Sequence, residues 1–172
     1  ERDITRSIRL IARACKRFAS KGLRSLVVTI SNTERDKFLL FAAEEGVKAI
    51  SYGNGITAKD AAIIFRGGEG DGLCGTAANY AEGVDLPGGI APVIFFLRPG
   101  YPPPKDPGSV FEERRFGRAR WGIWNWRMML QALQVRGRNI RKASDLGVTF
   151  FVSQQFRRFL FGSLPKWLQK AY

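Results

Sequence analysis

An α/β fold, with a mostly parallel sheet and helices on both faces, is what this sequence predicts, and three observations lead there. Several short runs are apolar from end to end instead of alternating, most clearly Leu26-Val27-Val28-Thr29-Ile30 and Pro92-Val93-Ile94-Phe95-Phe96-Leu97. Continuous apolar runs are the mark of strands covered on both faces. Between them lie stretches of helical periodicity, and strands alternating with helices close into parallel crossovers. Finally, 172 residues with 45% hydrophobic and 12% aromatic content suffice for one domain, spanning residues 1–172, with a substantial core.

The elements follow in order. Ile4, Ile8, Ile11, Cys15 and Phe18 recur at helical spacing, so residues 3–20 are expected to form an amphipathic helix. Arg2, Arg6, Arg9, Arg13, Lys16 and Arg17 take its other faces, and Gly22 ends it. After the strand at 26–30, Ser31-Asn32-Thr33 sets hydroxyl and amide groups at the strand's carboxyl end. Thr33 or Asn32 is expected to cap a helix over 34–45, closed by Gly46. A short strand at 47–52 leads through a Gly/Asn loop to a helix over 57–65, with Thr57 as N-cap. Gly67, Gly68, Gly70 and Gly72 turn the chain into a strand at 73–76, and further strands are expected at 92–97 and 148–153. Between these last two lie a Pro-rich loop at 98–108 and a long helix-like run starting near Trp121.

The net charge is +13, and it is unevenly distributed. Residues 1–24 carry eight Lys/Arg against two acids, and residues 98–142 carry eleven against three, a net of +8. Segregated positive charge interleaved with apolar residues points to a polyanion, nucleic acid ahead of a membrane surface. There is no histidine, which excludes His-dependent triads and His-ligated metals. Cys15 and Cys74 have no paired-motif spacing, so no disulfide framework and no metal site are expected. No apolar run reaches the length of a membrane span and no signal peptide is visible, so a cytoplasmic location is expected. The chain starts at Glu1 inside a helical pattern, as a piece of a longer protein would.

The candidate site lies at 134–141. At about 100° per residue, Gln134, Gly137, Arg138 and Arg141 fall on one stripe of the helix-like run, and Arg136 points away. An amide and two guanidiniums on one stripe suit an anion, because the planar guanidinium meets phosphate through two parallel hydrogen bonds. The glycine leaves room for close approach. A solvated basic face has the same composition. Placement favours the anion. In parallel sheets ligands bind beyond the carboxyl ends of the strands. There Ser31–Thr33, Gly75–Asp85, the Arg98–Pro107 loop and the stripe are expected to converge. The run Gly75–Gly88 combines a strand end, the Thr76 hydroxyl, a tight Glu82-Gly83 pair and Asp85. It is either a ligand-facing loop or an ordinary connector. Trp121, Trp124 and Trp126 are core or interface residues, or platforms for stacked bases.

Together these runs resemble a known family. Glu82-Gly83-Val84-Asp85-Leu86-Pro87-Gly88 resembles helicase motif V of the DinG and XPD group of superfamily 2. Arg98-Pro99-Gly100-Tyr101-Pro102-Pro103-Pro104-Lys105-Asp106-Pro107 resembles the Pro-rich loop that follows it in DinG-like proteins. Gln134-x-x-Gly137-Arg138-x-x-Arg141, with Asp145-x-Gly147 downstream, is similar to motif VI, and Leu26–Asn32 to motif IV. The resemblance covers essentially the whole chain in order. It departs at Ala81, where the family usually has an aromatic; Tyr80 stands one position earlier. No Gly-x-x-x-x-Gly-Lys-Ser/Thr loop, no Asp-Glu-Ala-His box and no set of cluster cysteines occurs in the sequence. The resemblance is therefore to the second RecA-like lobe alone.

That resemblance implies roles. Arg138 and Arg141 are the arginines that would reach the γ-phosphate of ATP held, with Mg2+, mainly on the first lobe. Charge placed there stabilises phosphoryl transfer by roughly 10³–10⁵ in rate. Gln134 and Gly137 would sit at the nucleotide, Gly83 and Asp85 in the cleft between lobes. Ser31, Asn32, Thr76 and Glu82 would lie on the single-stranded DNA track. The activity implied is ATP-driven 5′→3′ DNA unwinding by the two lobes together, in a CRISPR or a repair complex. The alternative is a non-catalytic nucleic-acid-binding module that keeps the same fold.

Overall fold

The computed structural model describes residues 2–81, 84, 86, 89–103, 105–140, 142–163 and 166–169. Helix α1 (Arg2–Ala19) leads into β1 (Ser25–Thr29) and α2 (Asn32–Glu44). Then follow β2 (Ala49–Ser51), α3 (Ala58–Arg66), β3 (Gly72–Thr76), the single turn α4 (Ala77–Tyr80) and β4 (Val93–Phe96). The last third holds α5 (Pro107–Phe116), α6 (Arg120–Arg136), β5 (Val148–Phe151), α7 (Gln154–Ser163) and α8 (Lys166–Gln169). The strands form one sheet in the order β2-β3-β1-β4-β5, and every pair is parallel. The expected α/β architecture is what the chain adopts.

Both faces of the sheet are covered, which is why β1, β3 and β4 are apolar throughout. Val27, Cys74, Val93 and Phe95 pack against Ile8, Ile11 and Cys15 of α1 and Phe38 and Phe41 of α2. Leu26, Val28, Leu73, Ile94 and Phe96 pack on the other face, against α3, α4 and α6 through Phe65, Tyr80, Ala132 and Val135. Both cysteines lie in the first of these layers as free thiols. Burial pushes the Cys15 thiol up to about 12 and the Cys74 thiol well above its ordinary value, so both pack as apolar groups. From β1 the chain runs out to β2 and returns to β3, then crosses to β4 and β5. A crevice therefore opens at the carboxyl end of central β1.

Four expectations need correction. Ser31, not Thr33 or Asn32, caps α2: its side chain accepts from the Glu34 amide while Glu34 reaches back to the Ser31 amide. Ser-x-x-Glu is the capping-box pattern, and it was present to be read. The Pro-rich loop stops at Asp106, whose carboxylate caps α5 with Pro107 in the first turn. Strand β5 is not buried on both faces: it is the sheet edge, with Val148 and Phe150 about two-fifths exposed. Finally, α6 ends at Arg136 with Gly137 as C-cap, so helical spacing does not extend to Arg138.

Candidate nucleotide and nucleic-acid interface

The carboxyl ends of β1 and β3 carry a linked set of hydroxyl and amide groups. The Tyr52 hydroxyl lies 2.8 Å from Asn32 Oδ1 and 3.2 Å from Thr76 Oγ1. Asn79 donates to the same Thr76 oxygen at 3.1 Å. Thr76 is almost fully buried, whereas Asn32 and Asn79 are exposed. Sequence reading found Ser31, Asn32 and Thr76 and missed Tyr52 and Asn79. Tyr52 arrives from the end of β2, and no spacing rule links that strand to this edge. Arg35, paired with Asp36 at 2.6 Å, lies over the Tyr52 ring at 4.4 Å.

At the carboxyl end of β4, Arg98 Nε donates to Glu34 Oε1 at 2.6 Å. The other Glu34 oxygen accepts the Ile30 amide at 2.9 Å. A carboxylate this buried is stable because it is paired and hydrogen-bonded. The pair ties the first turn of α2 to the start of the Pro-rich loop. Neither residue was singled out as a pair from sequence, since they stand 64 positions apart.

Beyond α6 the chain turns back across the sheet. Gln134 is exposed in the last helical turn. Gly137 has ordinary helical backbone, and a Cβ there would meet only carbonyls at 3.5 Å, so nothing within the chain demands glycine. Arg138 is half-buried, and its guanidinium donates to the carbonyls of Ala81 and of Val84, the latter at 2.9 Å. The 134–141 segment and the 81–84 segment are thus in direct contact. Buried Asn139 donates to the Pro92 carbonyl at 3.0 Å and to that of Val148 at 3.4 Å, fastening the turn to β4 and β5. Gly147 follows from this: a Cβ there would collide with the Asn139 amide. Asp145 accepts the Lys142 amide at 2.9 Å and closes the intervening turn. Glu82, Gly83, Asp85 and Arg141 lie outside the described residues.

This geometry belongs to a chain whose residues 5–171 match the family model for a helicase C-terminal domain. The chain belongs to that family. No curated protein sequence matches it. Among solved structures, the helicase lobe resembles XPD in its apo form, with a TM-score of 0.67 and 15% identity over 93% of this chain and 33% of that one. It also resembles the Pyrococcus furiosus Hef helicase domain, with a TM-score of 0.52 and 17% identity over 93% of this chain and 27% of that one. The chain thus spans about a third of XPD or less of Hef. The RecA-like fold expected from the sequence is borne out, as is the resemblance to an XPD-type lobe.

The lobe carries one further feature that its sequence only hinted at. Tyr101, Trp121 and Trp124 form an aromatic corner between the Pro-rich loop and α6, with ring centroids 5.1–6.4 Å apart. Trp124 is buried and its indole N–H donates to Glu112 at 2.6 Å, so it is a structural residue. Trp121 and Trp126 are about half exposed. Arg120 lies over both Trp121 and Trp124, at 5.4 and 5.2 Å. Among the described residues no group of His, Cys, Asp and Glu could hold a metal ion, and no helix is long and apolar enough to cross a membrane.

Proposed function

We propose that the chain is the second motor lobe of an ATP-dependent DNA helicase of the DinG/XPD type, working in the 5′→3′ direction with a first lobe of the same protein. The observation that carries this reading is the contact of Arg138 with the Ala81 and Val84 carbonyls. It joins the run similar to motif VI to the run similar to motif V, which are 54 or more residues apart in sequence. In this reading ATP is the substrate, held with Mg2+ mainly by the first lobe. Arg138 and Arg141 approach its γ-phosphate from this lobe, and Gln134 and Gly137 face the nucleotide. Gly83 and Asp85 line the cleft between lobes. Ser31, Asn32, Thr76 and Glu82 lie along single-stranded DNA, where hydroxyl and amide donors meet phosphate oxygens.

A guanidinium aimed at the γ-phosphate acts where charge builds up in the transition state and leaves ground-state binding nearly unchanged. The lobe alone would not turn over ATP, having no phosphate loop in its sequence. In this reading the full-length enzyme works in the cytoplasm, in a CRISPR or a repair complex. Arg141→Ala in the full-length protein should lower DNA-stimulated ATP turnover by about 10³ or more, with KM for ATP changed only a few-fold. Steady-state ATPase assays with and without single-stranded DNA measure both. Turnover within a few-fold of the unaltered enzyme would overturn the assignment.

A further inference from the structure

We propose that the cleft between the Pro-rich loop and α6 is a nucleobase pocket of the single-stranded nucleic-acid track. The cleft has a volume of about 420 Å³. That lies within the volume range of clefts that take small ligands. Its walls are Tyr101, Pro102 and Pro103 on one side and Trp124 and Met128 of α6 on the other, with Ile30 beneath. These are flat or soft apolar surfaces, suited to the faces of an aromatic heterocycle. Gln131 stands on the wall, and its carboxamide supplies both a donor and an acceptor for the polar edge of a base.

Two observations identify the occupant as a base carried on a phosphodiester. The first is continuity. Ala77 lines the cleft, and the residue before it, Thr76, belongs to the hydroxyl and amide rim with Tyr52, Asn32 and Asn79. A nucleotide has this division: an apolar face on the base, hydrogen-bond acceptors on the backbone. The second is charge. The segment that contributes the Pro-rich loop and α6, 98–142, carries a net of +8. Arg127 on the cleft wall is itself paired with Glu112 at 2.5 Å, so the excess lies in the segment's other arginines and lysines. Cations around an apolar slot disfavour an uncharged apolar side chain of a protein partner and favour a polyanion. They are spread along α5 and α6 and not gathered at one point, as a strand's regularly spaced phosphates require and a free mononucleotide does not. This inference rests on the nucleic-acid reading above and adds a site that reads no sequence, because every base presents a π face.

The test compares oligothymidylate with an abasic oligonucleotide of equal length, binding to full-length protein by fluorescence anisotropy at fixed salt. The unaltered protein should prefer the base-bearing strand by about ten-fold. Tyr101→Ala removes one wall, and Ala78→Phe fills the cleft from an exposed position on α4. Each should reduce the preference several-fold and leave the salt slope intact. Tyr101→Phe keeps the ring, loses the hydroxyl contact to Asn125, and should retain the preference. Equal binding of the two strands by the unaltered protein would overturn the pocket while the nucleic-acid reading stood. Binding of neither strand would overturn both.

Discussion

Arg138 has a structural part that a helical-stripe reading misses. A stripe of exposed guanidiniums contributes little to its own lobe, yet Arg138 is half-buried and holds the Ala81 and Val84 carbonyls. Hydrogen bonds from a charged donor contribute about 2 kcal/mol. Arg138→Ala should therefore loosen the segment around 77–90 even without nucleotide, raising amide exchange there by about thirty-fold. Arg138→Lys keeps the charge but not the planar fork, so it should restore only part of the protection. Hydrogen-exchange mass spectrometry of the full-length protein reads this locally; unchanged protection in Arg138→Ala would show that the guanidinium does not hold the segment. The motif was legible in the sequence, but the geometry was not. Periodicity assumed a helix through Arg141, whereas the chain leaves it at Gly137 and reaches the sheet through Asn139. Nothing in residue spacing marks an asparagine as the fastening point.

At the scale of elements, the strands were the easy part. The apolar runs of β1, β3 and β4 come from burial on both faces; periodicity alone does not separate such a run from a buried helix segment, and their shortness does. Helix α5 was hidden because Pro107 and Gly108 look like loop, although proline is well suited to a first helical turn and Asp106 stood ready as its cap. Ion pairs and a charged hydrogen bond tie α5 to α6. Arg127 and Trp124 of α6 both donate to the Glu112 carboxylate, and that pairing, the arginine first, keeps Glu112 below the usual carboxylate range. A depressed carboxyl stabilises the fold above its unfolded-state pKa, and the contribution fades as pH falls through the lower, folded value. Tryptophan emission should therefore change as pH drops below the usual carboxylate range. Glu112→Gln should abolish that step, since the amide does not titrate. A step of equal size in the variant would assign it to another carboxylate.

The molecule as a whole has two basic segments that composition cannot tell apart. The fold separates them. Helix α1 packs with α2 on one face of the sheet, and its cations are partly answered there: Arg9 pairs with Glu44 at 3.1 Å and Arg13 with Glu45 at 3.0 Å. The 98–142 segment carries α6 on the opposite face and wraps the carboxyl edge, where the rim and the Pro-rich loop meet. Three arginines of that segment are answered as well, Arg98 by Glu34, Arg120 by Glu113 and Arg127 by Glu112. Yet its net charge of +8 exceeds the +6 of residues 1–24, and in the proposed reading it is this set that replaces counterions on a strand following that edge. Each phosphate neutralised on a single strand contributes about 0.7 to the slope of log K against log salt. Lys105→Gln with Arg118→Gln, both exposed in the second segment, should therefore flatten the slope by roughly 1.4 and weaken binding alike for every sequence. Arg9→Gln with Arg13→Gln removes the same formal charge from α1 and should leave the slope unchanged within about 0.3. Anisotropy titrations of the full-length protein at four or five salt concentrations separate the two. Equal flattening by both pairs would mean that the strand feels only net charge and follows no particular edge of this lobe.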